Sequence, residues 1–240
     1  MAATVTEDAQ PPRVEAEKQA VRESVWAALE RERAARFPGA RGRVPNFVGA
    51  EQAARRLAET EEWHAARVLK CNPDAPQLPV RRRALAEGKV VYMAVPRLWS
   101  PKPFVRLAED ATIKARGARP VAVEELEPVD LVVCGTVAVN PDGVRVGKGG
   151  GYSDLELGLL VEAGLVGEAT TIAATVHPLQ LLRDALPETE HDFRVDLIVT
   201  PQETLRTPSP RRPQGILWSH LSREKIASIP VLATRAGSGS

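Results

Sequence analysis

Two stretches decide the fold: Leu131-Val-Val-Cys-Gly-Thr-Val-Ala-Val139 and Arg145-Val-Gly-Lys-Gly-Gly-Gly-Tyr-Ser-Asp154. Together with the apolar residues 155–163, they predict a buried strand, a glycine loop and a helix. Four further apolar runs predict strands at residues 66–70, 89–95, 170–176 and 195–200. Apolar strands that alternate with helices are typical of a parallel sheet covered on both faces. The sequence therefore predicts an α/β fold, a three-layer sandwich with a mainly parallel central sheet.

The organisation of the chain follows from its composition. Of its 240 residues, 43% are hydrophobic and 26% charged, as in an ordinary globular domain. We expect a disordered tail at 1–14, an α/β domain at 15–205, a C-terminal extension at 206–235 packed on that domain, and a flexible tail at 236–240. Further helices are predicted at residues 15–36, 49–59 and 79–87.

Charge and targeting signals favour a cytoplasmic protein. The net charge of +1 gives no field that recruits nucleic acid or membranes, and we interpret the basic runs 81–83 and 211–212 as solvated surface. The N-terminus lacks the basic start and apolar core of a signal peptide, and no apolar run suits a membrane span. Cys71 and Cys134 lack metal-ligand spacing and are predicted to be buried free thiols. We expect a monomer or homodimer that acts on a small molecule.

The glycine loop has the composition of an anion-binding loop. Residues without β-carbons can wrap closely around an anion: Gly147, Gly149, Gly150 and Gly151. Arg145 and Lys148 add positive charge, Asp154 can hold a divalent cation, and the following helix N-terminus also favours anions. A nucleoside triphosphate is therefore the first ligand to consider. The loop matches neither the Walker A nor the dinucleotide pattern, and a glycine-rich turn without a ligand is the alternative.

The loop resembles the nucleotide loop of the 5-formyltetrahydrofolate cyclo-ligases, whose pattern is roughly R-[LI]-G-[RKY]-G-x-G-Y-Y-D. Three more segments are similar in the same order: Lys18-Gln-Ala-Val-Arg22, the strand at 131–139, and the turn and strand that begin at His191-Asp192. The resemblance covers about residues 15–205. It is closer to the methenyltetrahydrofolate synthetase domain-containing branch, through Val44-Pro-Asn-Phe and Arg212-Pro-Gln-Gly-Ile-Leu-Trp218.

This resemblance implies an enzyme that uses ATP and Mg²⁺. In the family, ATP phosphorylates the formyl oxygen of 5-formyltetrahydrofolate, N10 attacks, and phosphate leaves as 5,10-methenyltetrahydrofolate forms. The implied ATP-binding residues are Lys18, Arg22, Arg145, Gly147, Lys148, Gly149, Gly150, Gly151 and Tyr152, with Lys148 and Arg145 catalytic. Asp154 and Asp192 are the implied Mg²⁺ carboxylates. The alternatives are surface charges for Lys18 and Arg22, a helix-cap acid for Asp154 and a turn residue for Asp192.

The folate half of the pattern departs from the family more than the nucleotide half. The implied substrate-binding residues are Asp74, Arg97, Tyr152 and Ser153. Asp74 stands where the family has a pterin-binding glutamate, and Ser153 replaces its second tyrosine. Two further hypotheses follow: a divergent ATP-dependent ligase or cyclase that acts on a non-folate acyl substrate, and a non-catalytic nucleotide- or folate-binding protein.

Overall fold

The computed structural model describes residues 12–108, 111–112, 116–208 and 211–237. Its helices are α1 (Pro12–Arg31), α2 (Ala50–Ala58), α3 (Glu61–Ala65), α4 (Leu78–Ala86), α5 (Tyr152–Glu162), α6 (Arg223–Ser228) and α7 (Pro230–Gly237). Its strands are β1 (Val68–Cys71), β2 (Val90–Ala94), β3 (Phe104–Arg106), β4 (Arg119–Val121), β5 (Leu131–Cys134), β6 (Ala138–Val139), β7 (Arg145–Val146), β8 (Thr171–Thr175), β9 (Leu197–Val199) and β10 (Thr204–Arg206).

Eight strands form one sheet in the order β10-β9-β8-β5-β1-β2-β3-β4. The central strands β9, β8, β5, β1 and β2 run parallel, whereas β10, β3 and β4 are antiparallel at the edges. The predicted α/β fold with a mainly parallel sheet is confirmed. The edge strands were not predicted, because each has only three residues and β4 contains a proline.

Helices cover both faces of the sheet. Alternate strand residues point to opposite faces, so Leu69 and Cys71 of β1 pack in the core under α2, α3 and α4. Val68 belongs to the core on the other face, which includes leucines of α5 such as Leu157. A third apolar cluster joins α1 to the β6–β7 hairpin.

The predicted strand at 131–139 is wrong as a single element. The strand of the main sheet ends at Cys134, and Ala138–Val139 pairs instead with Arg145–Val146 in a separate two-stranded sheet. The buried Thr136 hydroxyl donates to the carbonyls of Ala138 and Val146, at 2.9 and 3.0 Å. These hydrogen bonds satisfy two backbone carbonyls near the point where the chain leaves the main sheet.

The chain ends differ from their predicted bounds. Helix α1 begins at Pro12, within the tail predicted at 1–14, and ends at Arg31 rather than residue 36. Residues 1–11 and 238–240 lie outside the described part of the chain. The C-terminal extension forms α6 and α7, and buries Ile216, Ile229 and Leu232 in the main core.

The extension contacts α5 closely. A β-carbon on Gly158 would lie 3.1 Å from the Gly215 carbonyl oxygen, and the Ile216 N–H donates to Glu162 at 3.0 Å. In the described part of the chain, no helix combines the length and the apolar character that crossing a membrane requires.

The basic runs are not simply solvated, contrary to the prediction. Arg81 is buried and donates to the backbone carbonyls of Asn72, Pro73, Asp74 and Ala111. Partly buried Arg211 and Arg212 pair with Glu188 and Asp196. A run of arginines in sequence does not reveal which member faces inward. The prediction for the cysteines is confirmed, since both are free and buried.

Candidate functional site

A cleft of about 800 Å³ opens where the strand order of the sheet reverses. Strand β1 lies between β2 and β5, so the chain proceeds outward from β1 in both directions, and such a switch point is the usual ligand site of an open α/β sheet. Every predicted site residue lines this cleft: Lys18, Arg22, Asp74, Arg97, Arg145, Gly147, Lys148, Gly149, Gly150, Gly151, Tyr152, Ser153, Asp154 and Asp192. The structure thus brings them together, and their roles remain predictions.

Helix α1 presents two buried cations to the cleft from one face, as their four-residue spacing predicts. Lys18 Nζ lies 2.6 Å from the Oδ2 atom of Asp192. The guanidinium of Arg22 donates from Nε to the Gly147 carbonyl at 2.7 Å, and from Nη1 to Glu15 at 2.6 Å. These contacts exclude the alternative that Lys18 and Arg22 are simple surface charges.

Arg145 is the third buried cation. It forms an ion pair with Asp154, and its guanidinium carbon lies 3.6 Å from the centre of the Phe193 ring. Within the described residues, the buried Nε of Arg145 has no hydrogen-bond partner. A buried cation with an unused donor is suited to bind an anion in the cleft.

The two predicted metal carboxylates have pKa values shifted in opposite directions. Burial and the charge of Asp192 raise the pKa of Asp154, although Arg145 opposes the shift. Burial also disfavours the charged form of Asp192, but Lys18 and the hydrogen bonds outweigh it, and the pKa of Asp192 is lowered. These hydrogen bonds include donation from the Thr189 N–H at 2.5 Å and from its hydroxyl at 2.8 Å. Asp192 is therefore the carboxylate that stays charged more readily.

These residues fit Mg²⁺ only together with a ligand. No group of three or more His, Cys, Asp or Glu side chains that could hold a metal occurs among the described residues. Magnesium, however, often takes only one or two carboxylates and completes its octahedron with phosphate oxygens and water. Asp154 and Asp192 both line the cleft, and their role as magnesium ligands remains a prediction.

The glycine loop needs glycine for its backbone conformation. Gly149 and Gly151 have φ angles of +96° and +66°, which favour glycine. A β-carbon on Gly149 would lie 3.4 Å from the guanidinium of Arg22. Helix α5 begins directly after Gly151, so its free N–H groups add to the positive potential of the cleft.

The side of the cleft near the strand ends holds the predicted substrate residues. Asp74 accepts from Lys148 Nζ at 3.3 Å, and it approaches Gly135 so closely that a β-carbon there would lie 2.8 Å from its Oδ2 atom. Arg97 follows β2 with a φ of +55°. The hydroxyl of Ser153 accepts from the Asn72 amide at 3.0 Å.

A buried polar network that the sequence does not predict lies below Ser153. Lys70 Nζ donates to the Asn72 side-chain oxygen at 2.5 Å and pairs with Glu156 of α5. Together with Gly135 and Glu15, these residues line or support the cleft without having been predicted. One signal was available, since Lys70 is a charged residue inside an apolar strand and such a residue requires a buried partner.

The sequence profile of the 5-formyltetrahydrofolate cyclo-ligase family matches residues 14–201. The chain belongs to this family. The methenyltetrahydrofolate synthase domain-containing protein of Mus musculus is 40% identical over 233 residues, which cover 90% of this chain. Its Bos taurus counterpart is 36% identical over 237 residues, which cover 92% of this chain. In both cases this chain spans only 62% of the relative's length.

The family assignment agrees with the fold. The solved structure of the 5,10-methenyltetrahydrofolate synthetase of Aquifex aeolicus superposes on this chain with a TM-score of 0.55 and 19% sequence identity. The match covers 85% of this chain and 98% of the Aquifex aeolicus chain. At that identity, the likeness concerns the fold alone. The match of the family profile ends at residue 201, before the extension that packs on α5.

Proposed function

We propose that this chain is an ATP- and Mg²⁺-dependent cyclo-ligase that converts 5-formyltetrahydrofolate into 5,10-methenyltetrahydrofolate. The observation that carries the proposal is the convergence of Lys18, Arg22 and Arg145 with a glycine loop in one cleft. The family, and the names of its relatives, support the same chemistry.

The cationic side of the cleft suits a triphosphate. Lys18, Arg22 and Arg145 are buried, so their charges act in a less screened environment than surface cations do. The exposed Lys148 can move toward a ligand, because its contact with Asp74 is a long one at 3.3 Å. We infer that the loop N–H groups and the buried cations hold the phosphates, while Lys148 follows the transferred group.

Mg²⁺, when bound by Asp154 and Asp192, would neutralise phosphate charge during transfer. Both carboxylates are paired with cations in the absence of ligand, Asp154 with Arg145 and Asp192 with Lys18. We infer that these pairs hold opposite charges in place before the nucleotide arrives. The cations would then redistribute toward the phosphates as the carboxylates turn to the metal.

The proposed reaction needs activation of a poor leaving group. The formyl oxygen attacks the γ-phosphorus of ATP and ADP leaves, and N10 then attacks the activated formyl carbon. That attack closes the ring, N10 releases its proton to solvent, and the C–O bond breaks so that phosphate departs with the original formyl oxygen. The protein aligns the two substrates and stabilises negative charge with positioned cations. No covalent bond between protein and substrate is needed.

A second candidate function is the same activation on a non-folate acyl substrate. It is favoured by Ser153, whose hydroxyl is held by Asn72 instead of presenting the tyrosine of the family pattern. The second candidate is also favoured by Asp74, whose side chain is one methylene shorter than the family's glutamate.

One assay separates these functions. Purified chain, Mg²⁺, ATP and 5-formyltetrahydrofolate are mixed, and the near-ultraviolet absorbance of the methenyl product is followed. The proposal requires ATP-dependent product that is lost in Asp154→Asn and Lys148→Ala and kept in Lys102→Ala, an exposed lysine that pairs with Glu125. ATP binding without product would reject the folate reaction and leave the second candidate. If Lys148→Ala and Asp154→Ala both leave nucleotide affinity unchanged, the assignment of the loop is wrong.

A further inference from the structure

A second cavity, of about 620 Å³, borders the same glycine loop. It shares Glu15, Gly149, Gly151 and Asp154 with the cleft described above. Its other walls come from α1, from the first turns of α5 and from the C-terminal extension. The two cavities are therefore adjacent, with the glycine loop between them.

The C-terminal extension gives this second cavity its apolar character. Ile216, Leu217 and Leu221 line it together with Leu155 of α5, while Gln19, His220 and Lys225 supply a few polar groups. An apolar pocket with a small number of polar groups is the usual form of a site for a small organic ligand, and a nucleotide base is one such group. The charged cleft, by contrast, is lined by most of the cations described above.

We propose that the C-terminal extension builds the pocket for the purine base of the nucleotide, with Leu217 as a wall of that pocket. The inference rests on the proposed function, because it takes the nucleotide's phosphates to lie at the glycine loop. A nucleotide held there must project its base away from the strand ends, where Asp74 and Ser153 face the second substrate. The cavity beside the loop is the space available on that side.

Two contacts support this arrangement. Glu15 borders both cavities and so lies where the ribose would pass between base and phosphates, with a carboxylate able to accept from sugar hydroxyls. Lys225 of α6 places Nζ 3.5 Å from the Gly150 carbonyl and 5.8 Å from the Tyr152 ring. The extension therefore touches the loop itself, although it lies outside the residues 14–201 that the family profile matches.

The test compares a ligand that has a base with one that does not. Calorimetry on the full chain measures Mg-ATP and Mg-tripolyphosphate binding in the wild type and in Leu217→Trp, which fills the pocket. Leu217 is partly exposed and is not among the partly buried side chains packed on the main core, so folding should persist. Ala227→Trp, exposed on α6, is the matched control, and Leu217→Gln adds a polar group at nearly constant size.

We expect wild type to bind ATP more tightly than tripolyphosphate. Leu217→Trp should weaken ATP about tenfold or more and leave tripolyphosphate nearly unchanged, because only the base is excluded. Leu217→Gln should act in the same direction, and Ala227→Trp should change neither affinity. Equal ATP affinity in wild type and both Leu217 variants would overturn the inference and leave the proposed function standing. Equal loss of both ligands would also overturn it. If wild type binds neither ligand, the proposed function fails and this inference with it.

Discussion

Lys18 and Asp192 form a buried ion pair across 174 residues of sequence, with Lys18 Nζ 2.6 Å from the Asp192 Oδ2 atom. The pair connects α1 to the segment that precedes β9, and both residues line the proposed nucleotide site. Both side chains are almost completely buried, with 4% and 8% of their surface exposed. A pair this buried costs desolvation free energy, so removing one partner is more harmful than removing both.

Lys18→Met is expected to lower the free energy of unfolding by about 3 kcal/mol, because it leaves Asp192 charged, buried and without its cation. Asp192→Asn should have a comparable effect. The double variant should lose less than the sum, and a double-mutant cycle by urea denaturation measures that difference. Glu17→Met, on the exposed side of α1, is the control. Strict additivity would show that the pair is not coupled.

Gly149→Ala is expected to weaken Mg-ATP binding. The residue has φ +96°, a left-handed conformation in which alanine costs about 1 kcal/mol or more, so the substitution is expected to shift the loop backbone. Gly167→Ala is the matched control, since Gly167 has an ordinary φ and nothing within 4 Å of its added β-carbon. Calorimetric titration with ATP distinguishes the two. An unchanged affinity in Gly149→Ala would show that the loop tolerates other conformations.

The parallel part of this fold follows from local sequence, because strands buried on both faces require unbroken apolar runs. Strands β1, β2, β5, β8 and β9 were recognisable for that reason. The split of the run at 131–139 could not be recognised from the sequence. Gly135 and Thr136 interrupt the run only briefly, and apolar residues continue on both sides of them. Only the pairing of Ala138–Val139 with Arg145–Val146 in a separate hairpin shows that the run leaves the main sheet.

The residues that share the cleft could be predicted because the glycine loop and the Lys18-to-Arg22 spacing carry a family pattern. Residues that act through long-range contacts carry no such pattern. Lys70 and Glu156 are 86 positions apart, so a charge inside an apolar strand predicts a buried partner for Lys70 but does not identify Glu156 as that partner. Arg81 likewise looks like its neighbour Arg82 in sequence, yet only Arg81 is buried.

Arg81→Met is expected to destabilise the chain by at least about 2 kcal/mol, because buried carbonyls of the loop after β1 lose their donor. The loop that carries Asp74 should also become looser. Arg82→Met, at the exposed neighbouring position, is the control and should stay within about 0.5 kcal/mol of wild type. Urea denaturation measures both variants. Equal stabilities would mean that water replaces the guanidinium without cost.

The two cysteines should resist alkylation while the chain is folded. Burial raises the pKa of Cys71 from 9.0 to about 11 and also raises the pKa of Cys134, so neither thiol is accessible or ionised near neutral pH. In denaturant, both should react quickly with iodoacetamide. The unfolded thiol ionises before the folded one, so Cys71 makes the fold less stable as the pH rises from 9.0 to about 11. Fast labelling of the native chain would contradict the buried positions.

Gly135→Ala should impair the second substrate and spare the nucleotide. A β-carbon there would lie 2.8 Å from the Asp74 Oδ2 atom, 3.0 Å from Val44 and 3.1 Å from Gln77, so Asp74 must move. Because Asp74 lies on the strand-end side of the cleft, we expect a several-fold higher KM for the acyl substrate at an unchanged ATP affinity. Steady-state kinetics under saturating ATP, together with calorimetry, measure the two effects separately. Asp74→Asn provides the comparison, since it alters the carboxylate without adding volume. A loss of ATP affinity in Gly135→Ala equal to its rise in KM would show that the two halves of the cleft do not bind their ligands independently.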